Sequence, residues 1–273
     1  MSTAPIVKFA SKSFTLPNTC VRLRGILDDP SSDIEDMAKV MSLDPSLSAK
    51  VLKLANSALF RFPAQVSSVP KALSIIGGEA AYNISMAETA NLAFKSFESA
   101  QINFDRFWHK AVLNGLIAKA LAQQKQIRGS ERYFVLGILQ NLSELVCATR
   151  LPEKYAIYKE IQHEKLPLQA QKDVFGFTFP ECSGLILESW HLPDTLSGPL
   201  KELTLEHVPS QGFDASLLYI AQAMSHLEQG RDIRKHPAVD IRPLDEIGLK
   251  EDDYDIILEF ALAESLKIAA TLK

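Results

Sequence analysis

Histidine and cysteine, the side chains that most often hold metal ions or act as nucleophiles, are few and scattered in this sequence. No two histidines stand four residues apart on one helix, the spacing that lets both bind one zinc ion. The cysteines form no Cys-x-x-Cys pair, which disfavours a thiolate zinc site and a disulfide framework and is typical of a reducing compartment. The six histidines and three cysteines are His109, His163, His191, His207, His226, His236, Cys20, Cys147 and Cys182.

The common catalytic and phosphate-binding motifs do not occur in the chain. It contains no G-x-S-x-G elbow, no P-loop and no G-x-G-x-x-G run, so neither a serine hydrolase nor a nucleotide cradle is predicted. Carboxylates cluster at Glu251 to Asp253 and at Asp255. We interpret them as the solvated first turn of a helix, where negative charge is favourable, and not as a catalytic pair.

The charge balance argues against nucleic acid as the main ligand. In 273 residues, 29 Lys and Arg stand against 33 Asp and Glu, a formal net charge of −4. The chain therefore lacks the broad positive field that binds phosphates irrespective of sequence. A local basic strip could serve a nucleic-acid-associated regulator, but we interpret it as ordinary charge at a helix C-terminus. The strip consists of Lys119, Lys125, Arg128 and Arg132.

The composition predicts a soluble, cytoplasmic protein. With 47% hydrophobic and 23% charged residues, the chain can bury a core of ordinary size. Met1 to Ser13 has no apolar stretch long enough for a secretory signal, and nowhere do about 18 consecutive apolar residues occur. We therefore expect no membrane association.

Apolar residues recur at spacings of three and four along almost the whole chain, which predicts an all-α fold. Asp33 and Asp44 are expected to cap two of the helices in the first half. The helices predicted there run over residues 16–27, from 34, from 45, from 69 to the glycines at 77 and 78, and over 79–97. We expect these helices to form one lobe, residues 14–100, followed by a second lobe, residues 101–273.

The second lobe is predicted to be built around two long helices. They run from Phe104 to Gln124 and from Arg132 to Thr149, the latter apolar nearly all round and therefore central. Asp214 is expected to cap a helix running to Glu228, and a terminal amphipathic helix is expected from Asp252 to Leu272. Between them, Gly230 to Gly248 is weakly periodic, a pattern that fits a mobile loop and a packed irregular segment equally well.

Short motifs in both lobes occur in the same order and at similar spacings as in a known domain family. They are Leu16-Pro17, Asp44-Pro45, Leu54-Ala55-Asn56-Ser57-Ala58, Val66-Ser67-Ser68-Val69, Ile76-Gly77-Gly78, Phe107-Trp108, Gly137-Ile138-Leu139 and Trp190-His191-Leu192-Pro193. Over residues 14 to 230 the sequence thereby resembles an HDOD domain, the HD-related output domain of bacterial signalling proteins. The resemblance implies a two-lobe helical HDOD fold whose second lobe is a degenerate HD-like unit.

The resemblance also identifies the positions where the HD phosphohydrolases bind metal. Those enzymes hold divalent cations with a histidine, a His-Asp dipeptide and a later aspartate, because such cations need imidazole and carboxylate ligands. The first position holds Lys110, and the neighbouring His109 would be rotated by about 100° away from it. The remaining positions hold Gln140, Asn141, Phe179 and Gln222. The resemblance therefore implies no metal, no cofactor and no enzymatic activity.

Four of these residues, Lys110, Gln140, Asn141 and Gln222, define a candidate degenerate cleft with two interpretations. In the first, the ammonium group fills the place of the metal and bonds the amides of Gln140 and Asn141, which joins the helices. In the second, the cleft binds a small anion, phosphate or nucleotide, with the lysine as its point charge. Asn56 and Ser57 are interpreted as a helix C-terminal turn whose side chains satisfy backbone groups.

The function expected from this sequence is that of a non-catalytic signal-transduction module. It would act through protein partners of a bacterial signalling pathway, held by contacts with its surface helices. The alternatives are a metal-dependent phosphohydrolase of HD type with atypical ligands and a sensor that binds a small anion or nucleotide. The partner, the stimulus and the oligomeric state do not follow from the sequence.

Overall fold

The structure is a computed structural model that describes residues 2–60, 62, 64–162, 165, 167–204, 212–225 and 247–273. Within these ranges every regular element is an α-helix, which confirms the predicted fold class. The helices are α1 (Ala4–Ser13), α2 (Asn18–Asp28), α3 (Ile34–Ser42), α4 (Pro45–Ala55), α5 (Val69–Ile76), α6 (Gly78–Ser96), α7 (Phe104–Gln124), α8 (Glu131–Leu139), α9 (Leu142–Arg150), α10 (Pro152–Ile161), α11 (Pro167–Phe175), α12 (Phe179–Ser189), α13 (Asp194–Lys201), α14 (Phe213–Met224) and α15 (Glu251–Leu272).

The early helices begin and end at the residues that the sequence indicates. The Asp33 carboxylate accepts the N–H of Asp36 at 3.0 Å and caps α3, and Asp44 accepts the N–H of Leu47 at 3.0 Å and caps α4. Helix α5 ends at Gly77, where φ is +83°, a left-handed conformation that favours glycine. Local side-chain chemistry therefore sets these boundaries.

The helix α1 was not predicted, because the segment before Phe14 shows only one short apolar repeat. Ile6 and Ala10, four residues apart, are its two fully buried positions. The helix packs against α9 and α12, and the Ser11 hydroxyl lies 2.6 Å from that of Ser189 at the end of α12. The first helix of the chain is thus attached to elements of the second half.

The single central helix predicted from Arg132 to Thr149 is wrong, because the chain leaves the helix at residues 140 and 141. Helix α8 ends at Leu139 and α9 begins at Leu142, with Asn141 at φ −107° and ψ 16° between them. The N–H of Ser143 donates to the Ser183 hydroxyl of α12 at 2.9 Å. This long-range hydrogen bond replaces the bond to a carbonyl four residues earlier that a continuous helix would make.

The prediction for Asp214 is also wrong. Helix α14 begins at Phe213 after Gly212, without a side-chain cap, and Asp214 instead bonds α8. Its carboxylate lies 2.7 Å from a guanidinium nitrogen of Arg132 and accepts the hydroxyl of Tyr133. The predicted end of this helix at Glu228 and most of the segment Gly230 to Gly248 lie outside the described residues. The terminal helix matches its prediction to within one residue.

The buried side chains form one continuous hydrophobic cluster that extends through both halves of the chain. Helix α7 packs against α8, α14 and α15, while α6 packs against α8 across the proposed lobe boundary. The division into residues 14–100 and 101–273 stays a prediction. Among the helices named above, none is long and apolar enough to cross a membrane.

Helices α7 and α8 cross with their backbones in contact at two glycines. A Cβ atom added to Gly137 would lie 2.6 Å from the Cα of Gly115 and 2.7 Å from the carbonyl oxygen of Asn114. A Cβ added to Gly115 would lie 2.5 Å from the carbonyl oxygen of Phe134. Neither neighbour is a flexible side chain, so only glycine fits at this crossing.

We predict that Gly137→Ala lowers the free energy of unfolding by about 2 kcal/mol or more, because the two backbones must separate to admit a methyl group. Urea denaturation followed by circular dichroism measures this change. Gly25→Ala is the matched control. Gly25 lies within α2 with no atom within 4 Å of an added Cβ, so the alanine should stabilise the protein by about 0.5–1 kcal/mol. Equal stabilities of Gly137→Ala and wild type would contradict the assignment of this contact.

Candidate functional site

A cleft of about 440 Å³ opens between α7, α9, α10, α11 and α14. Three of the four predicted cleft residues, Lys110, Asn141 and Gln222, line it. Gln140 does not line the cleft. Its side chain is 0% exposed, and neither amide atom has a hydrogen-bond partner in the described ranges. The resemblance to the HD phosphohydrolases thus leads to a real cavity, although one of the four residues is turned away from it.

The position of Lys110 follows from the way α7 is held against the core. Trp108, two residues earlier, is fully buried, and its indole N–H donates to the carbonyl oxygen of Ala269 on α15 at 3.0 Å. This contact fixes the rotation of α7, and Lys110 is then directed into the cleft, where it is half-buried. Burial lowers the pKa of Lys110 to about 8, while the nearby carboxylate of Glu144 opposes that change.

Asn141 and Gln222 connect the junction between α8 and α9 to α14. The Nε2 group of Gln222 donates to Oδ1 of Asn141 at 3.0 Å. Both side chains are largely buried. An amide pair of this kind joins two elements by a neutral hydrogen bond in a place where two carboxylates would repel each other without a cation between them.

The sequence analysis missed Glu144 and Tyr155, which supply the carboxylate of the cleft. The Tyr155 hydroxyl donates to Oε1 of Glu144 at 2.8 Å. Burial raises the pKa of Glu144, whereas the Tyr155 hydrogen bond and the charges of Lys110 and Lys159 lower it. Glu144 could have been found from its spacing, since it follows Asn141 by three residues and so shares its face of α9.

Two further cations, Arg106 and Lys159, stand at the exposed rim of the cleft. Both charges lower the pKa of Lys110, so the electric fields of the three basic groups overlap within the cleft. With Glu144 the cleft lining holds three cations and one carboxylate. The other polar lining residues are mostly amides: Gln101, Asn103, Gln162, Gln171 and those described above.

Phe179 lies behind the cleft wall in a cluster of aromatic rings. Its ring centroid is 5.1 Å from that of Tyr158, which lines the cleft, and 5.3 Å from that of Phe175. Its backbone N–H donates to the side-chain carbonyl oxygen of Gln171 at 2.7 Å. Phe179 therefore belongs to the packed support of the cleft and offers no ligand to it.

The histidines of the described residues, His109 and His191, lie apart from each other. His109 lines the cleft beside Lys110, although the sequence placed it about 100° away from the first metal position on a helix. Its Nε2 is 2.8 Å from the hydroxyl of Ser265 on α15, and burial lowers the pKa of its ring. His191 is exposed in a left-handed turn, at φ +59°, after α12. The other four, His163, His207, His226 and His236, lie outside the described residues.

The cleft does not fit a divalent metal. Throughout the described part of the chain, no three or more His, Cys, Asp and Glu side chains converge so as to hold a metal ion. The position nearest the first ligand of an HD enzyme holds an ammonium group, which repels a cation. We therefore derive no chemical step through a metal at this site.

Asn56 and Ser57 satisfy backbone groups at the end of α4, as the sequence predicts. Asn56 forms the predicted turn, since it donates to the carbonyl oxygens of Leu52 and Val66 and accepts the N–H of Val66 at 2.8 Å. Ser57 likewise donates to the carbonyl oxygen of Leu54 at 2.7 Å.

One residue of the predicted basic strip, Lys119, is not exposed at the surface. Lys119 is buried, donates to the carbonyl oxygen of Leu59 at 2.5 Å and lies 4.5 Å above the ring centre of Phe60. Glu131 is 3.7 Å from the same ammonium group. A lysine held in this way is unavailable to bind the phosphates of a nucleic acid.

Comparison with known proteins gives a consistent family and fold. Residues 14–203 match the HDOD domain family. A protein of Treponema pallidum (strain Nichols) is 24% identical over 203 residues, and the match covers 72% of this chain. The chain spans only 38% of the length of that protein.

Solved structures share the fold at low sequence identity. An HDOD domain protein of Geobacter sulfurreducens is 20% identical, with a TM-score of 0.67 and coverage of 99% of this chain and 98% of that one. A provisionally assigned phosphohydrolase of Shewanella amazonensis SB2B is 19% identical, with a TM-score of 0.71 and coverage of 98% of each chain. A provisionally assigned signal transduction protein of Marinobacter aquaeolei VT8 is 20% identical, with a TM-score of 0.67 and coverage of 95% of this chain and 59% of that one.

These similarities agree with the geometry described above. The family match covers more than half of the chain and contains the α7 to α10 walls of the cleft. Its motifs include the Asn56 turn, the buried Trp108 and the Gly137 crossing. The chain belongs to the HDOD domain family.

Proposed function

We propose that this chain is a non-catalytic signalling module that acts through contacts with other proteins. The observation that carries the proposal is the lining of the cleft, where Lys110 and the hydrogen-bonded pair Asn141 and Gln222 occupy positions at which the resemblance implies metal ligands in HD enzymes. Membership of the HDOD family supports a signalling role, and the similar structure from Marinobacter aquaeolei is provisionally assigned to signal transduction. A protein without reaction chemistry transmits a signal by what it binds.

The chemistry available in the cleft is unsuited to phosphoester hydrolysis. On an HD scaffold a divalent metal would lower the pKa of a bound water so that hydroxide forms near neutral pH. The single carboxylate, Glu144, is engaged by the Tyr155 hydroxyl at 2.8 Å and has a raised pKa because of its burial. A phosphohydrolase with atypical ligands is the enzymatic alternative, and the metal content and hydrolytic activity of the purified protein distinguish it from the non-catalytic module.

A second candidate function is the binding of a small phosphate-bearing anion in the same cleft. The specific observation in its favour is the convergence of Arg106, Lys110 and Lys159 on one cavity with a single opposing carboxylate. A cavity of about 440 Å³ lies in the usual range for small-molecule sites. Such a ligand would make the module a sensor without making it an enzyme.

We predict that the purified protein carries far less than one equivalent of manganese, iron or zinc, because the described lining of the cleft sets one imidazole and one carboxylate, His109 and Glu144, beside an ammonium group that repels cations. Elemental analysis after expression in metal-supplemented medium measures the content. Hydrolysis of a generic phosphodiester and of cyclic dinucleotides should not exceed that of the Lys110→Ala, Asn141→Ala double variant. About one equivalent of metal, with turnover that chelators abolish, would restore the enzymatic alternative.

We predict that Lys110→Met leaves the protein at neutral pH between equally stable and about 3 kcal/mol more stable, since apolar replacement of a buried charged group is often neutral or favourable. The folded-state pKa of Lys110, about 8, lies below its ordinary value of 10.5. Between these pH values the unfolded chain holds more protons, so wild-type stability rises with pH. The difference in unfolding free energy between Lys110→Met and wild type should therefore be largest below pH 8 and decrease toward pH 10.5. Urea denaturation across this range measures it.

Lys39→Met is the control for this comparison, because Lys39 lies on the exposed side of α3. It should leave stability nearly unchanged, because an exposed ion pair such as the one with Asp36 contributes little. A destabilised Lys110→Met variant would contradict this prediction and would mean that the ammonium group stabilises the packing of the helices, although it makes no bond to the Gln140 amide.

For the second candidate function, we expect adenosine monophosphate and inorganic phosphate to raise the melting temperature of the wild type with saturation, because a ligand bound only to the folded state stabilises it. Lys110→Met should show no such rise. Potassium chloride at matched ionic strength serves as the control for screening. Equal shifts in the two proteins, or none in either, would rule out an anion site at Lys110 without affecting the non-catalytic proposal.

A further inference from the structure

Helix α15 (Glu251–Leu272) has one face in the core and one face in solvent. Its inner face packs against α7, α4 and α6. Two side-chain contacts fix its rotation: the Trp108 indole on the carbonyl of Ala269, and His109 on the hydroxyl of Ser265. The outer face is therefore defined by the same contacts that orient α7.

The outer face carries apolar side chains that the core does not use. Ile256 and Leu266 are each 65% exposed, and Ala263 and Ala270 are exposed beside them. With Glu259, these residues follow one another at spacings of three, four, three and four. This is the spacing of a helix seam that packs against a second helix.

The charges on this face are separated along the helix. Exposed acidic residues, Asp252, Asp255 and Glu259, lie in its first half, and exposed lysines, Lys267 and Lys273, lie in its last turns. Each lysine also has a carboxylate partner within the chain: Lys267 lies 2.9 Å from Glu264, and Lys273 pairs with Asp105. A second helix with the same sequence is complementary to this pattern when it runs in the opposite direction. In a parallel arrangement, Glu259 would face Glu259 and Lys267 would face Lys267.

We infer that the outer face of α15 is the contact surface for a second copy of this chain, with the two α15 helices antiparallel about a two-fold axis at Ala263. In this arrangement Glu259 faces the partner's Lys267, and Ile256 faces the partner's Ala270. Ala263 meets its own counterpart at the axis, where a small side chain lets the helices approach closely. The two-fold arrangement uses the same patch on both copies, as closed dimers require.

The small area of this face indicates how strongly two copies should bind each other. A helix of 22 residues is about 33 Å long. One helix from each copy buries less surface than the roughly 1,600 Å² of a standard interface. The dimer should therefore be weak and should depend on protein concentration. This inference does not rest on the proposed signalling function.

Sedimentation velocity of the full chain between about 5 and 500 μM tests the arrangement. We expect the mass of the wild type to rise from that of a monomer to that of a dimer across this range. Glu259→Lys should weaken the dimer at least about tenfold, because it places two lysines opposite each other. The double variant Glu259→Lys, Lys267→Glu exchanges the two charges and should restore association.

Leu43→Asp is the matched control, since Leu43 is a 73% exposed apolar residue outside α15. It should leave the dimer unchanged, whereas Ile256→Asp should abolish it. Both side chains are exposed, so circular dichroism and melting temperature should remain those of the wild type. Ala263→Cys should form a disulfide-linked dimer under mild oxidation, because the two cysteines meet at the axis.

Three outcomes would overturn the inference. The wild type could remain a monomer at every concentration. It could form a dimer that Ile256→Asp and Glu259→Lys leave intact, which would put the interface on another face. The charge exchange could also fail to restore association, which would exclude the antiparallel pairing.

Discussion

The contact of two backbones at Gly115 and Gly137 is the constraint on which the cleft depends. With no side chain at either position, α7 and α8 approach so closely that a methyl group on Gly137 would lie 2.6 Å from the opposing Cα. Lys110 stands less than two turns from this crossing, and Asn141 stands four residues beyond it. Their relative position is therefore set by rigid helix ends. The Trp108 bond to Ala269 then fixes the rotation of α7, so that His109 and Lys110 both line the cleft.

The charges of the cleft are arranged differently from those of a metal site. A metal site gathers anionic ligands around a cation, whereas here the protein itself supplies the cation at Lys110 and keeps one carboxylate, Glu144, beside it. Burial acts against both charges, lowering the pKa of the lysine and raising that of the carboxyl group. Gln140, with no hydrogen-bond partner for its amide within the described ranges, is a further cost of about 1–3 kcal/mol. Stability alone does not explain why such groups occur together.

Much of the fold could be predicted from the sequence, because caps and apolar spacing act locally. Asp33, Asp44 and Gly77 mark helix ends through contacts within a few residues of themselves. The break at Gln140 and Asn141 could not be predicted in this way, because the bond from Ser143 to Ser183 comes from a helix 40 residues away. The resemblance to the HD enzymes located Lys110, Asn141 and Gln222 in one cavity. It also placed Gln140 there, although that side chain is fully buried and does not line the cavity. It passed over Glu144, which lies in a stretch otherwise occupied by core positions.

The attachment of α1 to α9 and α12 has a consequence for the order in which the chain acquires its structure during synthesis. Ile6 and Ala10 are synthesised well before the helices on which they pack, and the serine that meets Ser11 is residue 189. Before α9 and α12 exist, α1 lacks most of the surface that it packs on, and a short isolated helix is only marginally stable in water. Helix α1 therefore waits for later parts of the chain before its apolar side chains can be buried.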